Sequence, residues 1–415
     1  MLYNIKNLVF ISLLISLVSG NSYSGFFTVD PVNEGKTFYW FWESQTNAST
    51  APVILYLTGG PGASMALSMV YENGPFKVNP DFTTTPNPNS WNTVANVIYV
   101  DSPLGTGFST VNENGYSQSE SETSQHLYSF LQQFFNAYPQ YRLNSLYIFG
   151  ESVSSKTAPN LGYLIHQKNK VSPASSKISL RGIGIVSAFI DPVLQLSTFP
   201  EKAFYSGFIS KSTYKQVEDI AEQCRDAFEC GNANDTANYC NGIIGAIGQA
   251  AANFNIYDVT KTCPPALAPI CYDFSLGAIY FSLPSTRAQL GLPANATWNF
   301  INPLVRENLL PQWFVPHTEY IPKLLDNNYK VLVMSGNNDY IGNSIGNDLW
   351  VAKLRWSKRT SFNDQPKVAI YNEVGTITAY KQSFSGLTTI TVKNAGHFID
   401  NDQPTIEYLK SFISQ

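Results

Sequence analysis

Basic residues are nowhere in excess in the 415-residue chain: 26 Lys and Arg stand against 30 Asp and Glu, the net charge is −4, and only 13% of residues are charged. A nucleic-acid binder needs a basic face, and this balance argues against one. Histidine is scarce, with only His126, His166, His317 and His397. Cysteine is missing outside one segment, which holds Cys224, Cys230, Cys240, Cys263 and Cys271. That segment contains no histidine and no Cys-x-x-Cys, which argues against a zinc site. Beyond the first 20 residues no apolar run approaches the roughly 20 residues that span a bilayer. No internal repeat and no low-complexity tract interrupts the chain. Neither a metal nor a cofactor is expected.

The first 20 residues are another matter. Lys6 precedes an apolar stretch from Leu8 to Val18, closed by the small pair Ser19-Gly20. A basic start, a short apolar run and small residues describe a signal peptide, with cleavage expected after Gly20. In that compartment Asn47-Ala48-Ser49, Asn234-Asp235-Thr236 and Asn295-Ala296-Thr297 are glycosylation acceptors in polar, loop-like sequence. The cysteines are then expected to form disulfides that staple a loop-rich insertion, with one thiol left free or paired outside the chain.

Hydrophobic patterning predicts an α/β protein with a mostly parallel sheet. An edge hairpin is expected over 24–42, then buried strands at Val53–Leu57, Asn96–Asp101, Ser145–Gly150, Arg181–Val186, Lys330–Ser335 and Thr388–Val392. A helix is predicted from Ser119 to Ala137 and another after Ser152. Alternation of strand and helix supports a parallel sheet. It stops over 195–305, read as a cap inserted between a first core part, 21–194, and a second, 306–415.

Most of the polar chemistry falls at strand exits, where ligands of such sheets bind. Tyr147-Ile148-Phe149-Gly150-Glu151-Ser152 is strand, glycine, serine, then helix, the pattern of a nucleophile elbow. Other Gly-x-Ser triplets, at Ser64, Ser109, Ser117 and Ser344, lack a clear apolar strand before a helical run. Asp339 follows the strand at 330–335 and His397 follows the strand at 388–392. The order Ser152…Asp339…His397 is that of an α/β-hydrolase triad. Serine is a poor nucleophile until a base takes its proton, and a carboxylate fixes the base's tautomer. His126 and His166 fall in predicted helices and His317 in a Pro-containing connection, which leaves His397 as the base. Thr58-Gly59-Gly60-Pro61-Gly62 follows a strand without the Lys-Ser/Thr of a phosphate loop. Bare N–H groups there suit an oxyanion hole.

Together these marks resemble the serine carboxypeptidases, an α/β-hydrolase family, over nearly the whole mature chain. They include Gly59-Gly60-Pro61-Gly62, Glu72-Asn73-Gly74-Pro75, Trp91, Asp101 with Gly105-Thr106-Gly107-Phe108-Ser109, Gly150-Glu151-Ser152, Lys156 and Pro159. Asp191-Pro192, Tyr257-Asp258, Gly336 with Asp339, Ala395-Gly396-His397 and Asp402-Gln403-Pro404 complete the set. The resemblance implies that Ser152 is the nucleophile, His397 the base and Asp339 its partner, with the N–H groups of Gly60 and Val153 as oxyanion hole. It implies that Glu72 and Glu151 share a proton and, with Thr58 and Gly59, hold the terminal carboxylate of a peptide. Paired carboxyls resist double ionisation, so peptidase activity is expected at acidic pH.

Several residues depart from the family pattern. Thr58 stands for asparagine and Tyr56 for tryptophan, Val153-Ser154-Ser155 replaces Tyr-Ala-Gly, Ala63 replaces a cysteine, and Phe398-Ile399-Asp400 replaces Met-Val-Pro. Asp400 is expected either to perturb the base or to face solvent. The expected activity is release of C-terminal residues through an acyl-enzyme, in a secreted or lysosomal or vacuolar protein, either monomeric or a homodimer. Two other readings remain: an acyltransferase on the same fold, favoured by Thr58, and a non-catalytic relative that protects a partner.

Overall fold

The computed structural model describes residues 20–251 and 254–414. Residues 1–19, and with them almost all of the predicted leader, lie outside this range. Among the described residues no helix is long and apolar enough to cross a membrane.

A ten-stranded sheet organises the fold. Strands β1 (Ser22–Asp30) and β2 (Gly35–Trp42) form the edge hairpin, and β3 (Val53–Leu57) is the first internal strand. A small separate hairpin, β4 (Phe76–Val78) and β5 (Thr84–Pro86), precedes β6 (Asn96–Val100) and β7 (Leu146–Glu151). Then come β8 (Leu180–Val186), β9 (Lys330–Gly336), β10 (Val368–Tyr371), β11 (Ile377–Phe384) and β12 (Leu387–Val392). The spatial order is β1-β2-β6-β3-β7-β8-β9-β12-β11-β10. From β6 to β12 neighbouring strands are parallel, and the two strands beyond each end are antiparallel.

The apolar runs in the middle strands are explained by burial on both faces. Val53, Leu55 and Leu57 of β3 pack with Leu127, Phe130 and Phe134 of helix Glu120–Ala137. Ile54 and Tyr56 of the same strand face the opposite layer, with Met65, Met69 and the C-terminal helix residues Leu409 and Phe412. Ser119 caps helix Glu120–Ala137 by accepting the N–H of Glu122, as expected of a serine at that position.

Between β8 and β9 the regular elements are all helical among the described residues. The expectation of a loop-rich insertion is corrected here. Helices Lys211–Glu229 and Ala233–Ala250 form a hairpin whose inner face buries Val217, Ala221, Ile243 and Ile247. Cys224–Cys240 ties the two helices together and Cys263–Cys271 closes a short loop. Asn234 is also not in a loop: it is exposed in the first turn of the second helix, with Thr236 buried beneath it. Asn47 and Asn295 are exposed in turns.

Cys230 is free and exposed. A maleimide added to the native protein is therefore expected to label one thiol per chain, on the peptide holding Cys230. Native labelling of two or more thiols would contradict the disulfide assignment.

Candidate active site

Strand β7 delivers the serine. Ser152 adopts φ 52° immediately after Glu151, a left-handed conformation that a non-glycine residue occupies at a cost of about 1–2 kcal/mol. The chain then turns through a 3-10 segment, Ser152–Ser155, into helix Thr157–Val171. So sharp a turn demands glycine at 150, where a β-carbon would lie 2.1 Å from the carbonyl oxygen of Ser154. The two serines that depart from the family pattern anchor this elbow. Ser154 Oγ donates to the Thr58 carbonyl at 2.7 Å, and Ser155 Oγ accepts the N–H of Phe189 at 3.1 Å.

Two other strand exits supply the imidazole and its partner. Asp339 is fully buried after β9; its Oδ2 lies 2.8 Å from His397 Nδ1 and its Oδ1 accepts the N–H of Gly342 at 2.9 Å. Nδ1–H donating to the carboxylate leaves Nε2 as the acceptor nitrogen. Burial alone would lower the imidazole pKa, but the charge and hydrogen bond of Asp339, aided by the charge of Glu151, outweigh it and the net direction is upward. The His397 loop is tied at both sides. Its N–H donates to Tyr257 O at 2.7 Å, its carbonyl accepts Ser187 Oγ at 2.7 Å, and Asp402 accepts the N–H of Gly396 at 2.8 Å. Lys261 bridges Asp402 at 2.5 Å and Asp258 at 3.0 Å, which fastens this loop to the insertion.

The loop after β3 lies against the nucleophile. A β-carbon on Gly59 would sit 2.6 Å from Ser152 Cβ, so only glycine fits. The N–H of Gly60 donates to no acceptor among the described residues, and Val153, near the start of its 3-10 turn, also keeps its N–H free. Asp101 shapes this loop from below. Its Oδ1 accepts Ser64 Oγ and the N–H of Met65, both at 2.8 Å, and its Oδ2 accepts the N–H of Phe108 at 2.8 Å. Burial pushes its pKa up to about 6 despite these bonds.

Beside the serine lies an acidic cluster. Glu151 Oε2 accepts Ser68 Oγ at 2.9 Å and Tyr56 OH at 3.3 Å, and Ser68 Oγ lies 2.9 Å from Thr58 Oγ1. Glu72 is buried, and no N–H or hydroxyl group donates to its carboxyl oxygens; its partner is the carboxyl of Glu151. Burial first, then the charges of Glu151 and Asp400, push the Glu72 carboxyl well above its usual range. Burial also raises Glu151, but His397 and the bonds from Ser68, Glu72 and Tyr56 oppose the shift. Both carboxyls are therefore raised, and the pair holds a proton more tightly than a free carboxyl does.

Asp400 is half-buried and does not act mainly on the base. It accepts the N–H of Thr405 at 3.0 Å and Thr405 Oγ1 at 2.5 Å, and its charge bears on Glu72, Tyr56, Tyr99 and Lys77.

Ser152, Val153, Thr58, Gly59, Gly60, Glu151 and His397 all line one cavity of about 400 Å³. Asp339 stands behind the imidazole, and Glu72 stands behind Glu151 without lining the cavity. Ser152 Oγ forms no hydrogen bond among the described residues, so its link to Nε2 is open; such catalytic bonds tighten when substrate is bound. The other histidines have structural partners: His126 meets Ser117 at 3.4 Å, His166 meets Tyr329 OH at 3.0 Å and His317 meets Asn160 at 3.0 Å. Asp191 caps helix Pro192–Leu196 through the N–H of Leu194.

Sequence reasoning missed Ser68 and the tie from Tyr56 to Glu151. Ser68 lies on helix Ala66–Tyr71 with nothing in its spacing to set it apart. The 14% aromatic content suits a ring-lined pocket, but sequence reasoning did not single out which residues form its walls. Tyr257, Phe274 and Phe398 form one and Phe189 with Trp313 the other.

The chain is similar to known proteins over nearly its whole length. The family model described as "Serine carboxypeptidase" matches residues 15–415. A Dictyostelium discoideum protein named serine carboxypeptidase S10 family member 1 is 40% identical over 100% of this chain and 99% of its own length. Serine carboxypeptidase-like 49 of Arabidopsis thaliana is 33% identical over 92% of this chain and 74% of its own. The solved structure of a prohormone-processing carboxypeptidase from Saccharomyces cerevisiae superposes with a TM-score of 0.87 at 21% identity, covering 96% of this chain and 92% of that one.

Proposed function

The chain belongs to the serine carboxypeptidase family, a family of hydrolases, and from that premise we propose that it releases C-terminal residues from peptides through an acyl-enzyme on Ser152. The observation that carries the proposal is the buried Glu72–Glu151 pair set beside a cavity shared by Ser152 and His397.

Ser152 Oγ attacks the last peptide carbonyl while His397 Nε2 takes its proton. The N–H groups of Gly60 and Val153 point at the oxyanion that forms. The imidazolium, stabilised by Asp339, returns the proton to the leaving amine. Water then repeats the cycle on the ester and frees Ser152.

Recognition of a free C-terminus is the task of the acid cluster. The peptide's carboxylate can approach a second carboxyl only if that carboxyl carries a proton to donate. Glu72 and Glu151, both raised by burial, share a first proton. A further proton on Glu151 then serves the substrate. Both folded-state pKa values are raised, so these protons are present on the acid side and lost as pH rises. The base has the opposite requirement, since His397 must be neutral. Protonating Glu151 removes one of the charges that hold the imidazole pKa up. The two requirements thereby become compatible in acid.

A blocked dipeptide and its C-terminal ester should therefore diverge with pH. The kcat/KM of the free acid relative to the ester is expected to fall by about tenfold per pH unit above the pair's titration, the slope of one required proton. A ratio independent of pH from about 4.5 to about 8 would contradict this role for Glu72 and Glu151.

Thr58 supports a second reading. Its Oγ1 pairs with Ser68 where the family pattern has an amide, which weakens carboxylate binding and favours an acyl donor without a terminal charge. Turnover of glucose esters with an alcohol acceptor, and of no blocked dipeptide, would replace hydrolysis by acyl transfer. The proposed setting is the secretory pathway, supported by the apolar leader and by two disulfides.

A further inference from the structure

The acid cluster accounts for one end of the cavity, while the other end holds a charge that the proposed mechanism does not use. Among the described residues lining the cavity, Arg306 is the one lysine or arginine. It sits on helix Pro303–Leu309 and is exposed at the rim. Its guanidinium lies over the Trp313 ring, 5.5 Å from the centroid, and it forms no ion pair or hydrogen bond among the described residues. A guanidinium stacked on an indole keeps its in-plane donors available for a carboxylate.

The surroundings fix which part of a substrate meets it. The Phe274 and Phe398 wall lies on the acid cluster's side, since Phe274 packs against Tyr71, the neighbour of Glu72, at 4.9 Å. The Phe189 and Trp313 wall lies on the elbow's other side. Phe189 donates its N–H to the Ser152 carbonyl at 3.1 Å, and Lys156 Nζ, from the turn after the nucleophile, holds the Trp313 carbonyl at 2.8 Å. A peptide whose terminal carboxylate lies at Glu151 thus puts the released residue near Phe274. The residue that acylates Ser152 then lies against Phe189 and Trp313, under Arg306. The helix carrying Arg306 is held in place: Asn302 at its cap donates its backbone N–H to Gly62 O at 2.9 Å and its amide to Gly105 O at 2.8 Å.

We propose that Arg306 is a specificity-determining residue that selects an acidic side chain at the position immediately N-terminal to the scissile bond. The inference rests on the carboxypeptidase reading above. The neutral cavity wall accommodates the side chain's methylenes, and Arg306 supplies the charge-assisted pair at its tip.

The test uses N-blocked X-Leu dipeptides with X as Glu, Gln, Leu or Lys, at about pH 5.5, where a glutamate side chain is ionised. The native protein is expected to favour Glu over Gln by about tenfold in kcat/KM, equivalent to about 1.4 kcal/mol, and to turn over Lys most slowly. In Arg306→Ala the Glu-to-Gln ratio is expected to collapse to about one, with the Leu substrate little changed. Arg306→Glu is expected to favour Lys, and raising salt should erode the native preference. A Glu-to-Gln ratio that is already one, or that survives Arg306→Ala while the Leu substrate is cleaved, overturns the inference and leaves the carboxypeptidase reading standing. An acid preference confined to the released residue in a Leu-X series overturns the placement. No turnover of any dipeptide overturns both readings.

Discussion

Ser152→Ala is expected to abolish turnover while the protein stays folded, with kcat falling by about 10⁶-fold, the scale seen when an activated serine is removed from a triad. The size of the loss follows from what the residue does and does not contribute. Its hydroxyl makes no hydrogen bond among the described residues, so removing it breaks no structural tie. The elbow is held instead by Ser154, Ser155 and the close approach of Gly150. The φ of 52° at Ser152 is strain set by the surrounding turn, and strain stored at a functional site persists because its surroundings over-determine it. Alanine inherits that backbone and loses only the nucleophile. Peptide binding should survive, because the residues proposed to hold the carboxylate are separate from the hydroxyl. A thermal midpoint near the native value, with kcat at background and peptide affinity retained, is the expected pattern. A loss under about a hundredfold would mean that the reaction does not pass through this serine.

Asp339→Asn should cost about 10⁴-fold in kcat. The carboxylate is fully buried and accepts twice, from His397 Nδ1–H and from the Gly342 N–H. An amide of the same shape can accept only with its oxygen. If that oxygen serves Gly342, its NH₂ faces Nδ1 and forces the proton onto Nε2, the nitrogen that must accept from Ser152. The charge of Asp339 is also among the causes that raise the imidazole pKa against burial. Without it the pKa falls, so the acid limb of the residual kcat profile should move to lower pH. A purely structural role would lower activity without moving that limb. Retention of more than a tenth of the native kcat would show that the pairing is dispensable.

How much of the fold and site is legible in the sequence depends on whether the signal is local. Strands β3, β7, β8 and β9 announce themselves because burial on both faces demands unbroken apolar runs. The elbow is local too, a glycine and a serine placed where strand becomes helix. The edge pair β10 and β11 escapes prediction because both strands are largely exposed or half-buried, with Val368 and Tyr371 facing outward, so nothing forces an apolar pattern. Helix Lys211–Glu229 reads as loop because its buried stripe, Val217, Ala221, Cys224 and Ala227, consists mostly of small residues in a polar background. The helical spacing is present, but the polar background and the cysteines of this segment resemble a stapled loop. The acid cluster is half legible. Glu72 and Glu151 follow from family resemblance, whereas Ser68, Asp400 and Arg306 reach the site only through tertiary packing. Asp400 shows this well: close to His397 in sequence, it contributes its charge to Glu72 instead.

The central claim is that a single serine, activated by His397 and Asp339 beside a carboxyl pair, performs the chemistry. Its most direct test is peptide mapping after exposure of the whole protein to a fluorophosphonate, with C-terminal residue release assayed in parallel. One adduct per chain on Ser152, loss of release in proportion to labelling, and no adduct in His397→Ala are the predicted results. Full release of C-terminal residues by protein that carries its adduct elsewhere, or carries none, would contradict the account.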